Sequence, residues 1–352
     1  MKKVILVILA ALVAYLAFWP VPIDPVAWDA PAAPELEGPY EKNDRLADVV
    51  RIAQGEGVGP EDVVVDADGR VYTGYEDGRI MRFDSDGGNA RQIANTGGRP
   101  LGLVFDNEGQ LIVADGYKGL LRMNADGGII EVLSTEADGV PFGFTNNADV
   151  AADGTIYFSD ASSRFGPERK AVDDIIEHGG NGRLLQYDPQ TRETRVLLDG
   201  LQFANGVAVA PDQESVLVAE TGNYTIIRYW IGGERAGEHE LFYENLPGLP
   251  DNISSNGRDT YWVALYAPRN ALLDAMSGYP FFRKVAFRLP KFVQPKPAAH
   301  AFVLGLSLDG KVTHNLQHAG KDSYHPITGA FEANGKLFLG SLATPAIGVL
   351  DL

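Results

Sequence analysis

Four oxygen-bearing side chains recur at one offset along this chain. Glu61 lies eight residues before Gly69 and Asn146 eight before Gly154, each glycine ending an Asp-Gly turn between two β-branched and aromatic runs. The same step back from Gln213, which takes the turn position after Asn205-Gly206-Val207-Ala208-Val209-Ala210-Pro211-Asp212, lands on Asn205. A further copy, Pro250 to Gly257, is two residues shorter and again opens on a carboxylate, Asp251. Two carboxylates and two amide oxygens suit a hard cation, since calcium takes about six to eight oxygens of mixed type. Zinc would recruit His or Cys, which these positions lack. The expected metal set is therefore Glu61, Asn146, Asn205 and Asp251 around Ca2+, with water or substrate completing the shell. Taken singly, Asn205 before Gly206 and Asp251 after Pro250 also suit plain turns, and Glu61 beside Asp62 suits a solvated surface. The shared offset is the argument against those readings.

Residues next to this set form its expected surroundings. Asn147 and Asn252 are placed as substrate-binding groups, with Asp62 supporting the ligands or accepting from a substrate. Of six histidines, His325 in Tyr324-His325-Pro326 falls about two residues off the register of the sixth repeat. It is the expected acid or base near neutral pH, with a packed or surface histidine as the alternative.

The elements that would bring these residues together are repeats. Six strand-turn-strand units centre on Asp68-Gly69, Glu108-Gly109, Asp153-Gly154, Pro211 to Glu214, Asn256-Gly257 and Asn334-Gly335. Most are followed by a further strand ending in another turn. That spacing is the signature of propeller blades, so the expected fold is all-β, a six-bladed β-propeller from about residue 42 to 352. Equivalent positions of a circular repeat converge on its axis. Leu46 to Ile52 is expected to lend a strand to the last blade and close the ring. Two excursions interrupt the repeats: 164–181 in the third unit, with a short helix over 168–178, and an insertion at about 268–300 in the fifth. The second combines Tyr279-Pro280-Phe281-Phe282 with Arg283, Lys284, Arg288 and Lys291. It reads as a lid over the ring's mouth that touches a membrane, or as a solvated surface loop.

Composition narrows the function classes. A formal net charge of -17 disfavours nucleic acid, whose phosphates require clustered Lys and Arg, and is compatible with a cation site. With no cysteine, disulfides, thiolate metal sites and Cys nucleophiles are excluded. Lys2-Lys3 precede an uncharged apolar run from Val4 to Trp19. Residues 1–20 are thus expected as an N-terminal membrane-anchor helix, or as a cleaved signal segment. The anchored form would face the periplasm of a bacterial host, and the cleaved form would be secreted. Residues 21–41 read as an extended proline-rich tether outside the fold. No oligomeric state is implied.

Gly59-Pro60-Glu61-Asp62, Gly98-Arg99-Pro100-Leu101-Gly102, Asn146-Asn147 before Ile156-Tyr157-Phe158-Ser159-Asp160, Gly182-Arg183-Leu184-Leu185 and Phe203-Ala204-Asn205-Gly206 together resemble the strictosidine synthase-like branch of the gluconolactonase and paraoxonase superfamily. The resemblance covers nearly everything after residue 40. It implies a six-bladed propeller with calcium in its tunnel and hydrolase activity on lactones, aryl esters or organophosphates. Glu61, Asn146, Asn205 and Asp251 match that family's calcium ligands, and an aspartate at the place of Asp251 is its nucleophile or base. Where paraoxonases carry a histidine in the second blade this chain has Leu101, a departure from a histidine-dyad mechanism. Strictosidine synthases proper lack the acidic ligands kept here, which argues against amine-aldehyde condensation. The expected function is a calcium-dependent hydrolase of lactones or aryl esters. The alternative is a non-catalytic propeller in which calcium stabilises a binding scaffold.

Overall fold

The computed structural model describes residues 1–352, Lys170 by its backbone alone. Six four-stranded antiparallel sheets form a closed six-bladed β-propeller. Their innermost strands are Val63–Val65, Pro100–Phe105, Thr145–Val150, Ala204–Val209, Gly248–Ser255 and Ala330–Ala333. Each packs against the innermost strand on either side, the sixth against the first. Val50–Ile52 pairs antiparallel with Ile347–Asp351 and supplies the outer strand of the sixth blade. The ring is thereby fastened by chain from before its first blade, and one sheet edge is covered.

Alternation along the strands decides where the core lies. Successive side chains point to opposite sheet faces, and in a ring of blades both faces meet a neighbour. Six separate apolar clusters result, one at each interface between adjacent blades. Between blades one and two, for example, Tyr72, Ile80, Leu111 and Val113 are fully buried. Each such side chain contributes about 1.5–3 kcal/mol.

Two excursions rise from one face of the ring. Thr145 pairs with Asp160 and Gly248 with Pro268, so the chain leaves for each excursion at the strand ends that carry Asn146 and Asp251. The first contains helix α2 (Lys170–Glu177), and the second contains α3 (Ala271–Ala275) and α4 (Pro280–Arg288). Before the propeller comes α1 (Lys2–Phe18), which has no buried residue. Among the described residues no helix is long and apolar enough to cross a membrane, α1 having 17 residues.

The segment after α1 departs from expectation. Residues 21–36 are extended but docked, not free. Val26 N–H donates to Glu177 O at 2.8 Å and Trp28 N–H to Ser277 O at 3.2 Å. The Arg283 guanidinium donates to the carbonyls of Ile176 (2.8 Å) and Val26, and the Trp28 ring stacks on His178 at 4.1 Å. An extended proline-rich strand leaves its remaining backbone groups unpaired, and the two excursions supply their partners. The segment therefore straps α2 to α3 and α4 across the face of the ring.

Candidate metal centre

Each inner hairpin is closed by a backbone hydrogen bond that defines its register better than its glycine does. The N–H of Asp66, Asp106, Ala151, Ala210 and Asn256 donates to the residue ending the turn, and Ala333 pairs with Lys336 in the sixth blade. Five residues before these stand Glu61, Leu101, Asn146, Asn205, Asp251 and Thr328. All six are buried. The fifth hairpin is not shortened, as the sequence spacing had implied; its turn runs from Asn256 to Thr260 with glycine in second place rather than fourth. Glu61, Asn146, Asn205 and Asp251 thus occupy equivalent positions around one ring.

Contacts among them cross between blades. Asn252 Nδ2 donates to both Glu61 carboxylate oxygens at 3.2 Å. Thr328 Oγ1 donates to Glu61 O at 2.6 Å, and Asn252 N–H to Thr328 O at 2.9 Å. The Asn205 amide lies against the Asp251 carboxylate and donates to Thr221 Oγ1 at 3.2 Å. Burial, then the charges of Asp251 and Asp62, holds Glu61 well above the usual carboxylate range. Burial likewise pushes Asp251 up to about 8, opposed by the Asn205 amide. These are two desolvated carboxylates that repel one another; Arg99 opposes the rise at Glu61 through its charge, but among the described residues neither carboxylate has a salt-bridge partner.

The next residue in each blade forms a second ring of a different kind: Asp62, Gly102, Asn147, Gly206, Asn252 and Gly329. Polar residues and glycines alternate. Asp62 Oδ2 accepts from Leu103 N–H at 3.2 Å, and Asn147 Oδ1 from Val207 N–H at 2.9 Å. Asn147 Nδ2 also reaches Asp62 Oδ2, at 3.5 Å, across the tunnel from blade three to blade one. Burial pushes Asp62 up to about 7 against these donors. Asn147 and Asn252, the expected substrate-binding residues, thus lie in this second ring with their amide nitrogens turned to residues of blade one. Asn252 Oδ1 is buried with no hydrogen-bond partner, as Asn146 Oδ1 and Asn205 Oδ1 are, while Asn252 Nδ2 holds Glu61 and Asn147 uses both ends of its amide to clamp blades together. The glycines make room for this: a Cβ on Gly206 would sit 2.1 Å from Ile253 N, whereas one on Gly109 meets nothing within 4 Å. Gly206→Ala should consequently cost about 3 kcal/mol or more by forcing two blades apart. A melting temperature falling by much less than for Gly109→Ala, where only positive φ is strained, would contradict the clamp.

His325, the expected acid or base, does not take the ring position of its blade. Its Nδ1 bonds to Ser323 Oγ at 2.8 Å, and the ring position of its blade belongs to Thr328, three residues on. Tyr266, which sequence reading missed, is half-buried near Asp251. Burial, then the Asp251 charge, raises its phenol above the ordinary value. Thr328 was missed too, because eight residues before Gly335 stands Ile327, one short of the ring position.

The donor set fits a hard cation. Asn146 Oδ1 and Asn205 Oδ1 are buried with no hydrogen-bond partner, a costly state for a carbonyl oxygen. One divalent ion would satisfy both and offset the repulsion between Glu61 and Asp251. Among the described residues no group of three or more His, Cys, Asp or Glu side chains is placed to hold a metal. Two carboxylates with two amides are a different kind of set.

Residues 146–234 match the family model for strictosidine synthase, and residues 38–83 the strictosidine synthase-like N-terminal model. Strictosidine synthase-like protein 10 of Arabidopsis thaliana is 37% identical over 321 residues, covering 84% of this chain and 85% of that one. The chain belongs to the strictosidine synthase-like family. Another relative within reach is the adipocyte plasma membrane-associated protein of Rattus norvegicus, 34% identical over 352 residues, with 94% and 93% covered. Beyond this family the propeller is shared with a gluconolactonase from Xanthomonas campestris, at TM-score 0.62 and 17% identity over 88% of this chain and 91% of that one. It is shared as well with regucalcin, a calcium-binding protein from Agrobacterium tumefaciens, at TM-score 0.59 and 13% identity over 85% and 92%. At such identities the likeness speaks for the fold alone.

Proposed function

We propose that this member of the strictosidine synthase-like family is a calcium-dependent hydrolase of lactones or aryl esters, held at a membrane by α1. The observation that carries the reading is the pair of buried, mutually repelling carboxylates flanked by two buried amide oxygens without partners. Glu61, Asn146, Asn205 and Asp251 would hold the ion. When bound, calcium supplies Lewis-acid polarisation of a carbonyl and charge to offset an oxyanion. Asp251, whose charge acts on the Tyr266 phenol, takes the proton of a water that attacks the acyl carbon, or attacks it directly to give an acyl-aspartate that water then hydrolyses; in either route the bond to the leaving oxygen breaks. In this reading the Tyr266 phenol returns a proton to that oxygen. Asn252 fixes the Glu61 carboxylate, and Leu101 leaves one side of the mouth apolar.

A scaffold reading has one observation in its favour: all four metal-set residues are between 2% and 5% exposed. Turnover decides between the two. Full-length protein should hydrolyse phenyl acetate or a small lactone, lose that activity to a chelator and regain it with calcium. Chelator-dependent loss of melting temperature with no turnover on any ester would favour the scaffold.

Proton linkage gives a further expected result. The raised carboxyl groups bind protons more tightly folded than unfolded, so in metal-free protein their contribution to stability is present below about pH 4. It is lost as pH rises towards about 8, the value of Asp251. Calcium must displace those protons, so its affinity should rise over the same window. Calorimetric titration in two buffers of different ionisation enthalpy would detect the released protons, and a pH-independent affinity would count against this ligand set.

α1 rises about 26 Å at 1.5 Å per residue, somewhat short of the ~30 Å hydrocarbon layer. Its apolar side chains are exposed on all sides and Lys2-Lys3 precede them. The membrane anchor, with the propeller outside the cytoplasm, rests on these features.

A further inference from the structure

The insertion of blade five is joined to the base of α1. Arg288, at the end of α4, donates through Nε to Trp19 O at 2.6 Å and through its guanidinium to Leu16 O at 2.7 Å. Tyr15 OH donates back to Arg288 O at 3.3 Å. Carbonyls at a helix C-terminus lack intrahelical partners, and here a side chain from the insertion satisfies them, fixing α4 beside α1. Around this junction large apolar groups face outward: Tyr279 is 59% exposed, Phe281 53%, Phe282 55% and Phe292 83%. Trp19, whose carbonyl Arg288 holds, is exposed as well. Tyr279, Phe281 and Phe282 form one cluster of rings, with centroids 5.7 and 6.0 Å apart, and a cluster of exposed aromatic rings marks a contact surface.

Charge identifies the occupant. Residues 269–299 hold six basic side chains and one acidic one, Asp274, within a chain of net charge -17; Arg269, Arg283 and Arg288 are turned inward and Lys284 pairs with Asp24, which leaves Lys291 and Lys296 as the free surface cations of the stretch. Lys291 and Lys296 are exposed on either side of Phe292. Aromatic rings interleaved with lysines at the foot of an apolar helix are the composition of the bilayer interface, where rings sit at headgroup depth and cations meet anionic lipid.

We propose that the stretch from Tyr279 to Lys296 is a second membrane-contact element, its aromatic side chains lying in the headgroup region of an anionic bilayer beside α1. The insertion rises from the strand ends that carry Asp251, and its partner excursion from those that carry Asn146. Docking by this face turns the mouth of the tunnel towards lipid, so an amphiphilic ester or lactone reaches the metal set from the membrane phase. The inference rests on the anchor reading for α1, and its failure can be told apart from the failure of that reading.

The chain has no cysteine, so single introduced cysteines label one site each. Full-length Phe282→Cys and Phe292→Cys, spin-labelled and reconstituted in vesicles of phosphatidylcholine and phosphatidylserine, are compared with Val7→Cys in α1 and Val132→Cys on an outer strand of blade two. Collision with oxygen, which prefers lipid, is measured against collision with a water-soluble nickel chelate. Labels at 282 and 292 should show an oxygen-to-nickel ratio several-fold above that at 132. Equal ratios at 282, 292 and 132 with a lipid-like value at 7 would overturn this inference and spare the anchor. An aqueous value at all four sites would overturn both. Exclusion of both reagents from 282 and 292 would mean that protein, not lipid, covers the face, and would overturn it as well. Lipid-like values at 282 and 292 with an aqueous one at 7 would uphold the contact and remove the anchor.

Discussion

Asp251→Asn should lower kcat on phenyl acetate or a small lactone by about 10³-fold, within the range for losing a positioned acid-base or nucleophilic group. The substitution is nearly isosteric and keeps one carbonyl oxygen towards the ion, while it removes the carboxylate whose charge acts on Tyr266. The fold should survive it. Asp251 is 5% exposed, and burial alone already raises its proton affinity, so a neutral amide suits the metal-free site better than a carboxylate does. Metal-free Asp251→Asn should accordingly melt no lower than metal-free wild type at pH 8. Full turnover together with undiminished calcium affinity would remove Asp251 from the mechanism.

How far this arrangement could be read from sequence depends on which signals were local. The blade count was legible because each inner hairpin carries its own turn residues, from Asp66 to Arg70 and on to Asn334-Gly335. Glu61, Asn146, Asn205 and Asp251 were legible for the same reason, since a repeat converts an offset in sequence into a place on a ring. The register of blades five and six was misjudged where glycine served as the marker. In the fifth turn Asn256 Oδ1 accepts from the N–H groups of Arg258, Asp259 and Thr260, so glycine need not stand fourth. Counting from the residue before the turn would have found Thr328 in place of His325. The roles of Asn147 and Asn252 were not legible, because an amide beside a ligand looks the same whether it faces a substrate or the neighbouring blade. Their signal was the alternation with Gly102, Gly206 and Gly329, which appears only once six copies are aligned. The strap at 21–36 was hidden for another reason. Its partners, Glu177 and Ser277, lie more than a hundred residues away and act mainly through backbone carbonyls, which no residue type announces.

Glu61→Gln provides the sharpest separation between a metal ligand and a packing residue, because the two roles predict opposite signs in the metal-free protein. Glutamine keeps the shape of the side chain and an oxygen towards the ring, but it removes one of the two formal charges that would balance the ion. Calcium affinity should fall about 100-fold, equivalent to roughly 2.7 kcal/mol. At a calcium concentration that is 100 times the wild-type Kd, the ion stabilises wild type by about 2.7 kcal/mol and the variant by only about 0.4 kcal/mol. The chelator-sensitive part of the melting temperature should thus nearly vanish. With chelator present the order reverses. The largest forces on Glu61 are its own desolvation and then the charge of Asp251, both of which oppose ionisation, and glutamine removes them. Metal-free Glu61→Gln should therefore be more stable than metal-free wild type at pH 8, with the difference shrinking towards pH 4 as the wild-type carboxyl takes up its proton. A residue that served only to receive the Asn252 amide would lose stability in both states. Curves measured with and without calcium that fail to cross would assign Glu61 to the wall of the tunnel and leave the ring without its metal.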